Sequence, residues 1–174
     1  MIMIPPLRKL VLTVHLTCSV GWIGAVLAYL ALVVTAMNDQ SAQTPHAAWR
    51  AMESIGWYVI VPLSLASLLT GVVMALGTPW GLFRHYWVLF SLVLTIFATV
   101  VLLQHMQTVR LFAGAAAAAD RTDRSGLGGE LLHAGGGMLV LLVIQTLNVY
   151  KPRGVTPYGW RKQQEQRRAQ CKNS

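Results

Sequence analysis

The sequence predicts an all-α fold: an integral membrane four-helix bundle running up-down-up-down, with both termini in the cytoplasm. Three observations carry this. Of the 174 residues, 55% are hydrophobic and only 11% are charged, whereas an average soluble domain carries about 25% charged residues. Four apolar runs, with their flanks at about 10–37, 45–76, 80–112 and 130–150, each come near the roughly 20 residues a helix needs to cross the hydrocarbon core. The cations are unevenly placed. Arg8, Lys9, Arg84 and seven residues of the tail fall on one side of such a bundle, and only Arg50, Arg110, Arg121 and Arg124 on the other. The positive-inside rule assigns the richer side to the cytoplasm. Membrane-spanning strands are excluded by the length and continuity of the runs, and the short connections favour antiparallel neighbours.

The first span follows Pro5-Pro6 and carries His15, Thr17, Cys18 and Ser19 near its cytoplasmic end. Gly21, Gly24, Ala25 and Ala28 stand at small-xxx-small spacings, which favour close helix contact and make a homo-oligomer one reading of that face. About 27 apolar residues exceed the core of a secretory signal. The run is therefore read as an uncleaved anchor, although Val34-Thr35-Ala36 has the form of a cleavage site. Thr44 and Pro45 read as an N-cap and first helical position. Trp49, Arg50, Glu53 and Trp57 then lie at the interface, and Pro62 is expected to kink the helix.

Gly77-Thr78-Pro79 is a stop followed by a restart, and Trp80, Phe83, Tyr86 and Trp87 around Arg84 form an aromatic belt. The third span ends in Gln104-His105-Met106-Gln107-Thr108, and its helix is expected to continue into the alanine run 115–119, alanine being the best helix former. Residues 120–129 form a charged, glycine-rich external loop. After the fourth span, Lys151-Pro152 closes a membrane domain of residues 1–150. The basic, glutamine-rich tail 151–174 is expected to lie on the anionic leaflet or to be disordered. Cys18 and Cys171 supply no disulfide framework.

Several function classes fall away. There is no phosphate loop, dinucleotide fingerprint or local nucleophile–base pair. The net charge of +8 sits in ends and loops, so it reports topology and anionic lipid, with no nucleic-acid partner. Glu53 and Glu130 read as span ends, which leaves the spans without a carboxylate and weakens proton-driven transport.

The residues 131–144 hold the strongest functional signal. This apolar run opens on His133 and then three glycines, 135–137. Glycine inside a helix costs about 1 kcal/mol relative to alanine, so the run needs a reason. Gly136 and Gly137 lie at i+3 and i+4 from His133, on its own face. They serve either tight helix packing or a notch where a flat macrocycle approaches the backbone.

Histidine is costly in lipid, so each intramembrane one is a functional candidate. Heights at about 1.5 Å per residue put His105 and His133 roughly 15 and 9 Å above the bilayer centre, facing one another across antiparallel helices. His46 falls at the surface. His15 and His85 form a second level-matched pair below the centre. His85 and His105, however, differ by roughly 200° around one helix, so a second cofactor at His15 and His85 is disfavoured.

The reading of the outer pair is one b-type haem, with His105 and His133 as axial ligands to the haem iron. Gly136 and Gly137 would leave room for the porphyrin, and Arg50 and Arg110 would meet its propionates. Two alternatives stay open. One is an ordinary hydrogen bond between the histidines or to Gln104 or Gln107. The other is a different metal, with Glu130 or Met106 as third ligand.

Four blocks carry a resemblance: HLTCSVGWIG at 15–24, GTPWGLFRHYW at 77–87, LHAGGG at 132–137 and VYKPRGVTPYGWR at 149–161. Together they resemble a family of small bacterial four-span integral membrane proteins of unknown function. That resemblance implies a bacterial cytoplasmic (inner) membrane protein and no particular activity. A looser similarity, at the level of fold alone, is to membrane b-type cytochromes. The expected function is electron transfer with membrane quinone or a partner redox protein. The alternatives are a cofactor-free membrane subunit or assembly factor, and a small-molecule or metal-ion transporter.

Overall fold

The computed structural model describes residues 3–38, 44–78, 81–118, 126–152 and 154–172. The order is α1 (Pro5–Asn38), α2 (Thr44–Ile55), a π-helical turn (Gly56–Ile60), α3 (Val61–Gly77), α4 (Tyr86–Ala118), α5 (Leu127–Tyr150) and α6 (Pro157–Lys172). Among the described residues there is no strand, only an isolated antiparallel bridge between His85 and Val155. Four helical stretches are long and apolar enough to cross a membrane: Pro5–Asn38, Ala47–Gly77, Tyr86–Gly114 and Leu127–Tyr150.

The helices α1, α3, α4 and α5 close into a ring, with α1 packed on α3 and α5, and α4 packed on the same two neighbours. Trp22, Val26, Tyr29 and Val33 of α1 meet Met106 and Val109 of α4 and Met138, Leu141 and Ile144 of α5 in the core. The outer surface is no more polar than the core: Leu27, Leu69, Phe90, Phe97, Leu132 and Leu139 all face outward. In hydrocarbon, burial of apolar area does not drive helices together, so packing and hydrogen bonds must do so. The buried hydroxyls of Ser64 and Thr99 bond back to Val61 O and Thr95 O in their own helices, which satisfies them without a partner helix.

Two poles follow from the ends that meet. At the terminal pole, Met3 N–H donates to Gly77 O (3.0 Å), Tyr86 N–H to Gly154 O (3.4 Å) and Thr156 N–H to Arg84 O (2.9 Å). The opposite end is the loop pole, where α2 leans on α1 and α4. There Trp49 stacks on Phe112 with ring centroids 5.1 Å apart, and Gly126 lies so close under both rings that a Cβ would stand 3.2 Å from Trp49.

The structure corrects the sequence reading at three places. The first is at Pro62, where the helix widens instead of simply kinking. Val61 N–H bonds to Gly56 O, a five-residue step, and the wider turn gives the proline ring space. Met106 fills the room left by Gly56, where a Cβ would collide with its Sδ and Cε.

Secondly, α4 starts at Tyr86, not near residue 80. Gly81 takes a left-handed φ of 63°, residues 82–84 form a turn, and His85 is held in the bridge to Val155. Pro79 and Trp80 lie outside the described residues, as does the end of the alanine run beyond Ala118.

The third correction is the tail. Instead of only lying on lipid or being disordered, it docks on the α3–α4 turn and forms α6. Thr156 Oγ1 donates to Phe83 O (2.5 Å) and accepts from Gly159 N–H (3.1 Å), an N-cap, with Pro157 at the first helical position. Any Cβ at Gly159 would run into the Arg84 carbonyl. Further along, Lys162 Nζ donates to Glu165 at 2.8 Å. That bond and the charge behind it hold the Glu165 carboxyl below its ordinary range.

Two substitutions test this clamp. Gly159→Ala and Thr156→Val should each release α6 from the turn while leaving the four spans folded. A lost cap is worth about 1–2 kcal/mol, so tryptic cleavage at Arg161 should accelerate roughly tenfold, with helical circular dichroism otherwise unchanged.

Candidate functional site

At the loop pole a carboxylate lies inside the protein. Glu130, in the first turn of α5, is 2% exposed. Tyr29 Oη of α1 donates to its Oε2 at 2.6 Å. His105 Nε2 of α4 stands 2.8 Å from the same oxygen, within hydrogen-bond distance. His133, one turn along α5, stacks on His105 with ring centroids 3.5 Å apart and planes 14° from parallel. Three helices thus converge on one acid.

This overturns the expectation that the spans hold no carboxylate. From sequence Glu130 reads as a span end. The helix begins at Leu127, itself buried, and α2 above it buries Trp49 and Met52. The first turn is therefore roofed by protein instead of water. A signal was present: Glu130 and His133 are three residues apart and share a face. Tyr29 was missed altogether. It sits seven residues after Trp22, on the same face of α1.

The two histidines face a cavity of roughly 370 Å³, which Trp22, Tyr29, Phe97, Leu102, Gly136 and Gly137 also line. A Cβ built at Gly135, Gly136 or Gly137 would meet no atom within 4 Å. The glycines are therefore not a helix-packing surface, and Gly136 and Gly137 form part of the cavity wall. His105, His133, Gly136 and Gly137 are brought together as the sequence spacing implies. Arg50 and Arg110 are exposed and do not line the cavity. The side chain of His46 lies outside the described residues.

The geometry can be asked whether it fits a haem. Two axial nitrogens must point at each other across one iron, roughly 4 Å apart at about 2 Å per bond. Imidazole lone pairs lie in the ring plane. In a parallel stack they run side by side, and His105 Nε2 is already engaged by Glu130. As packed, the pair does not fit axial ligation of one haem. Among the described residues no group of three or more His, Cys, Asp and Glu is disposed to hold a metal ion.

A second cavity, of roughly 380 Å³, lies toward the terminal pole, lined by His15, Ser19, Ser67, Ser91, Gln145 and Asn148 among others. His15 Nδ1 is 3.1 Å from Ser67 O and 3.0 Å from Thr70 Oγ1, and its ring lies against Gly71. His85 does not line this cavity. Its backbone pairs with Val155 and its ring tilts against Trp87. The structure does not join His15 and His85 in one site.

A family model described as "Predicted integral membrane protein (DUF2269)" matches residues 9–152, which take in the four spanning stretches except the start of the first, at Pro5, and stop short of α6. No curated protein and no solved structure matches the chain.

The Tyr29–Glu130–His105 cluster predicts non-additive stabilities. Tyr29→Phe keeps the ring and removes one donor to a buried acid, at a cost of about 1–3 kcal/mol, and Glu130→Gln costs a similar amount. The double variant should lose clearly less than the sum, because both changes break the same bond. Thermal unfolding of the four proteins in detergent measures this; strict additivity would count against the cluster.

Proposed function

The chain belongs to the DUF2269 family of predicted integral membrane proteins, and from its loop-pole geometry we propose that it binds a flat, lipid-soluble ring of the quinone class and exchanges protons with it. One observation carries the reading. A buried acid linked to two imidazoles ends at the wall of an apolar cavity, part of which is the bare backbone of Gly136 and Gly137.

The chemistry suits such a ring. Trp22, Phe97, Leu102 and the bare backbone at Gly136 and Gly137 suit an apolar plane lying flat. A quinone carbonyl accepts a hydrogen bond and a quinol hydroxyl donates one, and an imidazole can serve either. Glu130 behind His105 is the group that takes up or returns the proton. Tyr29 supports the acid by donating to it in its anionic form. Low local dielectric strengthens each of these bonds. Only proton exchange is assigned to this chain; the electrons of the ring would pass to or from a partner redox protein. Haem has no support in this packing. The cation bias supports a bacterial cytoplasmic membrane with the terminal pole inside and the cluster in the outer half.

Tryptophan fluorescence of the protein in lipid nanodiscs, titrated with decylubiquinone, tests the proposal, since Trp22 lines the cavity. Quenching should saturate. Gly137→Leu, whose Cβ meets no atom within 4 Å, should fill part of the notch and weaken binding at least tenfold while leaving the unfolding temperature unchanged. Linear quenching that is identical in the two proteins would sink the reading.

A further inference from the structure

The terminal-pole cavity holds polar groups that the fold itself does not use. His15 Nδ1 faces two acceptors. Ser67 O is a carbonyl, and Thr70 Oγ1 donates its own hydrogen to Ala66 O at 2.6 Å. In the neutral ring the proton must therefore sit on Nδ1, so Nε2 presents a lone pair. A second-nitrogen bond to a backbone carbonyl is the usual way an imidazole is oriented for a ligand.

Across the cavity, Asn148 contacts Ser91 Oγ at 3.1 Å, a hydroxyl that also bonds Trp87 O; in either orientation of the amide at least one of its two N–H hydrogens stays available. Among the described residues no group bonds the Gln145 amide. Polar groups left without protein partners at membrane depth are costly. These three are not sealed in: among the described residues every fully buried side-chain N or O has a partner, so the three stand open to whatever occupies the space they surround.

We infer that the terminal-pole cavity is a second binding site, for a neutral hydroxyl-bearing amphiphile. The lone pair on His15 requires a donor and the Asn148 amide requires an acceptor; a single hydroxyl is both. No carboxylate lines the cavity among the described residues, so nothing there favours a cation, and Lys151, which also lines it, already has a partner of its own. Leu12, Leu16, Leu68 and Leu92 supply walls for an apolar body. At about 30 Å³ per water-sized group, a volume near 380 Å³ takes a ring with a short chain. Gly71 is part of the site: its missing Cβ, which would lie 3.2 Å from His15 Cε1, is what lets the imidazole settle against α3. The site is independent of the quinone reading, being lined by different residues at the other pole.

Calorimetric titration of the full-length protein in nanodiscs with 4-butylphenol, against 4-butylanisole, is the test. The two probes share one apolar body, and only the phenol can donate. The phenol should bind saturably and at least tenfold more tightly. His15→Phe should abolish that preference, and Gly137→Leu at the other pole should leave it intact. Equal affinity for the two probes, or a preference that survives in His15→Phe, overturns the proposal. Should His15→Phe fail to fold, the unsubstituted protein still decides. With ¹⁵N-labelled histidine, the His15 Nε2 resonance must move on adding phenol and stay still on adding anisole. Phenol addition that leaves that resonance unmoved overturns the assignment.

Discussion

A polar group inside hydrocarbon has no water to turn to, and the whole arrangement around Glu130 follows from that. An isolated buried carboxylate would cost many kcal/mol, and even one that keeps its proton needs partners for its oxygens. The fold answers by bringing a hydroxyl from α1 and an imidazole from α4 to one oxygen on α5. Those two bonds set the relative height and rotation of three helices. They act where apolar burial is a weak guide, since lipid and protein interior are equally oily. Ser91 and Asn148 make a similar tie between α4 and α5 nearer the terminal pole.

Glycine does several jobs in this bundle, and only neighbours tell them apart. Gly56 makes way for Met106 beside the π-helical turn, Gly126 for Trp49 and Phe112, and Gly159 for the backbone of Arg84. At those positions the missing Cβ admits another part of the protein. At 135–137 it admits nothing from the chain. A helix with three consecutive glycines, two of them lining a cavity, tolerates a real loss of helix propensity. An occupant that lies against the backbone is the reason that fits, and it is why the cavity there is read as a site.

The two cavities differ in chemistry as much as in place. The loop-pole cavity is almost wholly apolar apart from one edge, where His105 stands against Glu130. The terminal-pole cavity holds neutral hydrogen-bonding groups, one imidazole oriented by a carbonyl, and Lys151 in its lining. Below it, the α6 segment is clamped to the α3–α4 turn by Thr156. The three residues Gly154, Thr156 and Gly159 each have a distinct task in that clamp, which a reading of the tail as generic basic sequence overlooks.

Membrane character and four spanning helices were legible in the chain, because hydropathy is a local property summed over 20 residues and needs no partner. So was the meeting of His105 with His133, since helical rise and rotation convert residue number into height and face. Other features depended on atoms far away in sequence. Glu130 looks like a surface acid until α2 is laid over the pole, and Tyr29 lies 101 positions from the oxygen it serves. Ring orientation is likewise invisible to spacing: two imidazoles at one level can meet end to end around a metal or face to face without one. Spacing along the chain determines which residues share a level; only the packed helices decide which way their rings turn and which acid they bond, because those choices are made by contacts between segments that the chain itself keeps apart.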